Sequence, residues 1–166
     1  KHMGTSDQVR PFEWPQYVLD RVMAKRGQLN VYPSFSAAET ALLVIDMQNF
    51  YVAEVPTARA IVPHINRLAA ALRQQGGTVA WVNMTAGKGG DSLWSTYHDN
   101  FFTTEKAARH RDQLSEGSAG HALYAALMSQ PSDWMVWKTR FSPFIAGSSN
   151  LDSMLRAKRI RTLIVV

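Results

Sequence analysis

Ala41-Leu42-Leu43-Val44-Ile45-Asp46 decides the reading of this chain. Five apolar residues run without a polar break and stop on a carboxylate. A surface strand would alternate apolar with polar residues, and a helix would space its apolar residues by three and four. A short continuous run fits a strand buried on both faces. Downstream, Ile61, Val62, Ile65, Leu68, Ala69 and Leu72 recur at helical spacing, so residues 58 to 75 are expected to form a helix. Gly76-Gly77 is a helix-closing signal. A second apolar run, Thr78 to Asn83, follows at once. Strand, helix and strand with short joints make a βαβ unit, whose strands are parallel.

The same pattern returns near the C-terminus. Trp134-Met135-Val136-Trp137 reads as a strand ending on Lys138, and Thr162 to Val166 as a fourth buried strand. A helix is expected over 150 to 158, with Ser148, Ser149 or Asn150 as its cap. Another is expected over 118 to 129. Four strands alternating with helices predict a three-layer α/β/α domain with a mostly parallel, Rossmann-like sheet over residues 40–166. Residues 1–39 read as an N-terminal arm with one helix, from Pro15 to about Arg26 and closed by Gly27. Its residues Tyr17, Val18, Val22 and Met23 share a face expected to pack on the domain or a neighbouring subunit. Residues 85–117 break the rhythm with Gly87, Gly89, Gly90, Trp94, Tyr97, His98, Phe101 and Phe102. An insert of that length is expected to be a lid or substrate loop.

Composition narrows the function classes. Hydrophobic residues make up 46% and charged residues 19% of 166, enough apolar content for a core. The net charge of +5 is scattered. Its densest groups are Arg109-His110-Arg111 and the set Arg156, Lys158, Arg159 and Arg161. Neither is interleaved with aromatics, so a solvated basic face is favoured over nucleic-acid binding. No run approaches the roughly 18 apolar residues of a membrane span. With no charged-then-apolar opening segment either, a cytoplasmic protein without membrane contact is expected. The first strand is followed by Met47-Gln48-Asn49 and not by a glycine-rich turn, which argues against a dinucleotide cofactor.

In parallel α/β sheets, ligands bind beyond the carboxyl ends of the strands. Asp46, Asn83 and Lys138 all fall at that edge. Alone, Asp46 reads equally as a turn cap and Lys138 as a surface lysine. Together they suggest a carboxylate that takes a proton beside a cation that positions it and stabilises anionic species. If their strands lie two places apart, the offset is roughly 10 Å and the lysine stem must lean across the sheet edge. Asn83 is a candidate for a substrate carbonyl or carboxylate, or a turn former. Arg140 is a candidate partner for an anionic substrate, or a structural ion pair. Phe50, Tyr51, Phe141 and Phe144 are candidates for a pocket lining, or for the core.

Leu42-Leu43-Val44-Ile45-Asp46-Met47-Gln48-Asn49-Phe50 resembles the opening strand motif of the isochorismatase-like hydrolases. Lys138-Thr139-Arg140-Phe141-Ser142-Pro143-Phe144 resembles their lysine motif. Leu151 to Arg156 and Ile160 to Val166 resemble the helix and strand that follow. The resemblance spans residues 40 to 84 and 134 to 166 and is weak between them. It implies an Asp-Lys-Cys triad with Asp46 and Lys138 as two members, and cleavage of an amide or ureido C–N bond through an acyl-enzyme. It also implies homodimers or homotetramers and a small-molecule substrate. Some relatives hold a metal through an Asp and two His. Here no Asp-x-His pair follows the first strand, so no metal or other cofactor is expected.

The 166 residues contain no cysteine. The family spacing puts the nucleophile roughly seven residues beyond Val166, in the turn after the fourth strand, so it is expected outside this sequence. The alternatives are a vinyl-ether hydrolase of the isochorismatase type, which needs no thiol, and a non-catalytic binding or oligomerisation module on the same fold.

Overall fold

The computed structural model describes residues 13–86 and 93–166. In chain order the elements are α1 (Gln16–Arg26), β1 (Thr40–Ile45), the short α2 (Asn49–Val52), α3 (Pro56–Gln74) and β2 (Thr78–Met84). They continue with α4 (Ser95–Phe101), α5 (Thr104–Gln113), β3 (Trp134–Lys138), α6 (Leu151–Ala157) and β4 (Thr162–Val165). The four strands form one parallel sheet in the order β3-β2-β1-β4.

Strand periodicity builds the layers. Side chains of a strand alternate between faces, so an all-apolar strand feeds two cores. Leu42 and Val44 of β1 pack with Val79 and Trp81 of β2 against Val62, Ile65, Ala69 and Leu72 of α3. Ala41 and Leu43, with Ala80, Val82 and Val136, pack on the other face against Leu151 and Leu155 of α6. The α/β/α architecture expected from the sequence is the one observed. The join of α3 to β2 explains one glycine. A Cβ at Gly77 would lie 2.4 Å from Leu72 Cγ and 2.8 Å from the Ala37 carbonyl oxygen.

Three expectations change. No helix forms over 118 to 129, where turns take its place. The backbone of this segment is used by the β1–α2 connection. Asn49 N–H donates to Ala122 O, Phe50 N–H to Gly120 O, and Tyr124 N–H to Met47 O, at 2.9 to 3.0 Å. Those carbonyls and amides are then lost to an i→i+4 ladder. Gly120 also sits where a Cβ would approach Gln113 O to 2.6 Å. Second, β4 was expected to be buried on both faces. It is an edge strand with Leu163 and Val165 exposed, and β3 at the opposite edge exposes Met135 and Trp137.

Third, helix α1 carries no buried residue, and Tyr17 and Met23 are exposed, so the packing expected of its apolar face on the domain is not observed. The insert contains α4 and α5. Its glycines Gly87, Gly89 and Gly90 lie outside the described residues. Asn150 is the N-cap residue of α6 and makes no side-chain cap bond; Ser149, one residue earlier, accepts from Leu151 N–H through its Oγ at 3.1 Å. No helix among the described residues is long and apolar enough to cross a membrane.

Candidate active site

Strand β1 ends in a sharp local event. Ile45 is its last residue, and Asp46 takes φ +57°. This left-handed conformation is uncommon for a residue with a side chain, although Asp tolerates it better than most. The Asp46 amide still donates to Val82 O at 2.8 Å, so the ladder runs up to the turn. Gln48 then locks the turn to the neighbouring strand. Its Nε2 donates to Met84 O at 2.9 Å and to His121 O at 2.8 Å, and its Oε1 accepts from Met84 N–H at 2.8 Å. A fully buried glutamine with three good partners is a rigid fixture.

Lys138 ends β3, in register with Met84 of the intervening β2. The two-strand separation is therefore real, and the lysine crosses it. Its Nζ lies 4.0 Å from Met84 Sδ, donates to Arg140 O at 3.4 Å, and meets Asp46 Oδ2 at 2.9 Å. The lysine side chain is 2% exposed and the aspartate 32%. The second carboxylate oxygen, Oδ1, makes no hydrogen bond of normal geometry, because the nearby Met84 N–H donates to Gln48 Oε1. Burial raises the Asp46 pKa above its ordinary value. The charge and hydrogen bond of Lys138, then the Met84 amide, only partly reverse this.

Asp46 opens onto a cavity of about 590 Å³. Phe50 and Tyr51, from α2, line it beside Asp46, and Phe141, from the loop after β3, closes one side. The insert supplies the opposite wall: Tyr97 and Phe102 from α4 and the residue after it, and Lys106, Arg109 and His110 from α5. An aromatic cluster ties these parts together. Trp94 stacks on Tyr97 with centroids 4.4 Å apart, and Phe141 meets both edge-on at 4.6 and 4.9 Å. The Arg109 guanidinium sits 5.5 Å over the Phe50 ring and pairs with Glu54.

Of the residues singled out from sequence, Asp46, Lys138, Phe50, Tyr51 and Phe141 come together here. Lys138 stands behind Asp46 and is not itself part of the lining, and three further residues do not reach the cavity wall. Asn83 is fully buried, one residue before the end of β2, and both its amide atoms lack partners. Arg140 turns to the insert, its guanidinium 5.3 Å over Trp94. Phe144 is exposed, away from the lining.

Sequence reading missed the contribution of α5. Arg109 and His110 were noted only as part of a charge cluster. The signal available was spacing, since Lys106, Arg109 and His110 stand three and four residues apart on one helical face. The donor set does not fit the metal that some relatives carry. His64 is on α3 beside Arg67, His98 faces His110, and no three His, Asp or Glu side chains converge among the described residues.

Comparison with known proteins gives the family and the fold. Ureidoacrylate amidohydrolase RutB of Methylorubrum extorquens is 33% identical over 150 residues, covering 79% of this chain and 59% of that protein. A probable inactive nicotinamidase of Arabidopsis thaliana is 33% identical over 132 residues, covering 76% and 64%. This chain thus spans about three-fifths of the length of these curated relatives. Among solved structures, a cysteine hydrolase from Pseudomonas syringae pv. phaseolicola superposes with a TM-score of 0.65 at 23% identity, over 81% of this chain and 61% of that one. N-carbamoylsarcosine amidase from Thermoplasma acidophilum gives 0.60 at 24%, over 76% and 66%. At such identities the superpositions speak for the fold. Residues 40–166 match the isochorismatase domain, and the chain belongs to that family.

Proposed function

We propose that the protein hydrolyses a C–N bond in the amide or ureido group of a small molecule, with Asp46 as base and Lys138 as its electrostatic partner. The observation that carries this reading is the ion pair itself. A carboxylate with a raised pKa and one unpartnered oxygen lines a cavity, held by a buried lysine that reaches it across a whole strand. A raised carboxyl pKa makes a stronger base once ionised, and the lysine keeps the anionic form available.

The nucleophile in this reading is a cysteine outside the 166 residues. Asp46 takes the thiol proton and the thiolate adds to the substrate carbonyl. The C–N bond breaks as Asp46 returns the proton to the departing nitrogen. Water, activated by the same carboxylate, then cleaves the thioester and frees the acid. Lys138 stabilises the anionic species beside it. Phe50, Tyr51 and Phe141 hold the substrate against the aspartate.

The test is a screen of the full-length protein for ammonia or amine release from simple carboxamides and ureides, with intact-mass detection of the acyl-enzyme. Turnover with a mass increase equal to the acyl group supports the reading. A fully active Lys138→Ala variant would refute the lysine's role. A second reading is a non-catalytic binding protein on the same fold. The relative named as a probable inactive nicotinamidase favours it, and a silent screen across the whole panel would support it.

A further inference from the structure

Beside the aspartate–lysine pair lies a second buried polar assembly. His98 and His110 are 1% and 7% exposed, and neither is used in the chemistry above. His98 Nδ1 is 2.9 Å from Trp94 O, and His98 Nε2 is 2.9 Å from His110 Nδ1. With both rings neutral, these two contacts set where their protons sit. A carbonyl oxygen only accepts, so His98 carries its hydrogen on Nδ1. In the neutral ring its Nε2 is then a bare acceptor. His110 must therefore donate from Nδ1, which leaves His110 Nε2 as a lone pair.

His110 itself lines the cavity, with Tyr51 and Asp46. The nearest group to the Nε2 lone pair is the Tyr51 hydroxyl at 3.5 Å, which can only donate to it. The distance is long for an O–H donor, so a better-placed donor can take its place. Packing holds the His110 ring still: Phe102 stacks on it at 5.4 Å, and Phe50 and Tyr97 meet it edge-on at 5.5 and 5.9 Å. Burial, His98 and Arg111 push its pKa down to about 4, so the ring stays neutral near pH 7.

We infer that His110 Nε2 and Tyr51 Oη form an acceptor end of the cavity that recognises an N–H of the substrate, with His98 as the positioning residue that fixes the His110 tautomer. The chemical class selected is a primary amide or N–H-bearing ureide over an ester or a fully N-alkylated amide. The inference rests on the proposed hydrolase reading for the location of the reaction, but its test does not need turnover.

Full-length protein labelled with 15N-histidine, and carrying Asp46→Asn to block reaction, is titrated with benzamide and with methyl benzoate, which offers the same carbonyl without an N–H. Long-range 1H–15N spectra are expected to show the Nδ1–H tautomer at both His98 and His110. Benzamide is expected to bind about fivefold more tightly, the scale of one net hydrogen bond. His98→Leu should reduce that ratio to within about twofold, and His98→Gln, whose carbonyl can accept from His110 Nδ1–H, should restore it. An Nε2–H tautomer or an imidazolium at His110 near pH 7, equal affinities, or no binding of either probe would overturn the inference. If His98→Leu does not fold, the tautomers and ratio measured without that change decide. Absence of turnover in the unsubstituted enzyme, with tautomers and ratio as expected, would refute the hydrolase reading and leave this one standing.

Discussion

The cavity has two walls of different origin. One is built on strand ends: Asp46 after β1 lines it, backed by Lys138 at the end of β3 and by Gln48, which joins β1 to β2. The other is built on α4 and α5 of the insert, whose aromatic and histidine side chains face the first across the cavity. The first wall is held by register, because a parallel ladder fixes where each strand stops. The second is held by ring contacts and two imidazoles. On the proposed reading, the chemistry that needs sub-ångström placement sits on the sheet, and selection among substrates falls to the insert.

Gln48→Ala should be the most damaging change to the sheet wall. It strands the Met84 amide and carbonyl and the His121 carbonyl in a dry site, with an expected loss of about 4 kcal/mol in a urea melt. A loss under about 1 kcal/mol would mean that the glutamine is not the fixture described. Lys138→Ala comes next, at about 3 kcal/mol. That is the low end for breaking a buried pair, because Asp46 keeps 32% of its side chain in water. Lys138→Met should recover most of that stability but no activity.

The insert wall should respond to pH. The His110 pKa falls from 6.5 when unfolded to about 4 in the native protein. The unfolded chain therefore binds more protons between these values, and stability rises with pH across that window. This contribution is complete above 6.5 and fades as pH falls toward 4. Chemical melts at pH 7 and pH 5 should show a loss on acidification that is smaller in His110→Gln. An equal loss in both proteins would mean that His110 is not held neutral.

The same contrast separates what was legible in the sequence from what was not. Unbroken apolar runs ending in Asp46 and Lys138 placed two candidate residues at one sheet edge, where they pair, because a buried strand has few ways to fold. Segment 118 to 129 was misread as a helix, because its apolar residues look periodic while its backbone partners, Met47, Asn49 and Phe50, lie some 70 residues away. The role of His110 was hidden in the same way. It depends on His98 twelve residues earlier and on Tyr51, contacts that exist only after α5 docks. Asn83 was placed correctly at the carboxyl edge, but a strand residue can be buried there as readily as it can face a ligand.

The central claim is that Asp46, steadied by Lys138, moves the proton in C–N cleavage. Its most direct test is kcat/KM for Asp46→Asn against the unaltered full-length enzyme, on whichever amide or ureide the screen selects. The change keeps the side-chain shape and removes the base. A fall of about 10²- to 10⁴-fold, the scale of general-base catalysis, is the expected result. An unchanged kcat/KM in a folded variant would contradict the account.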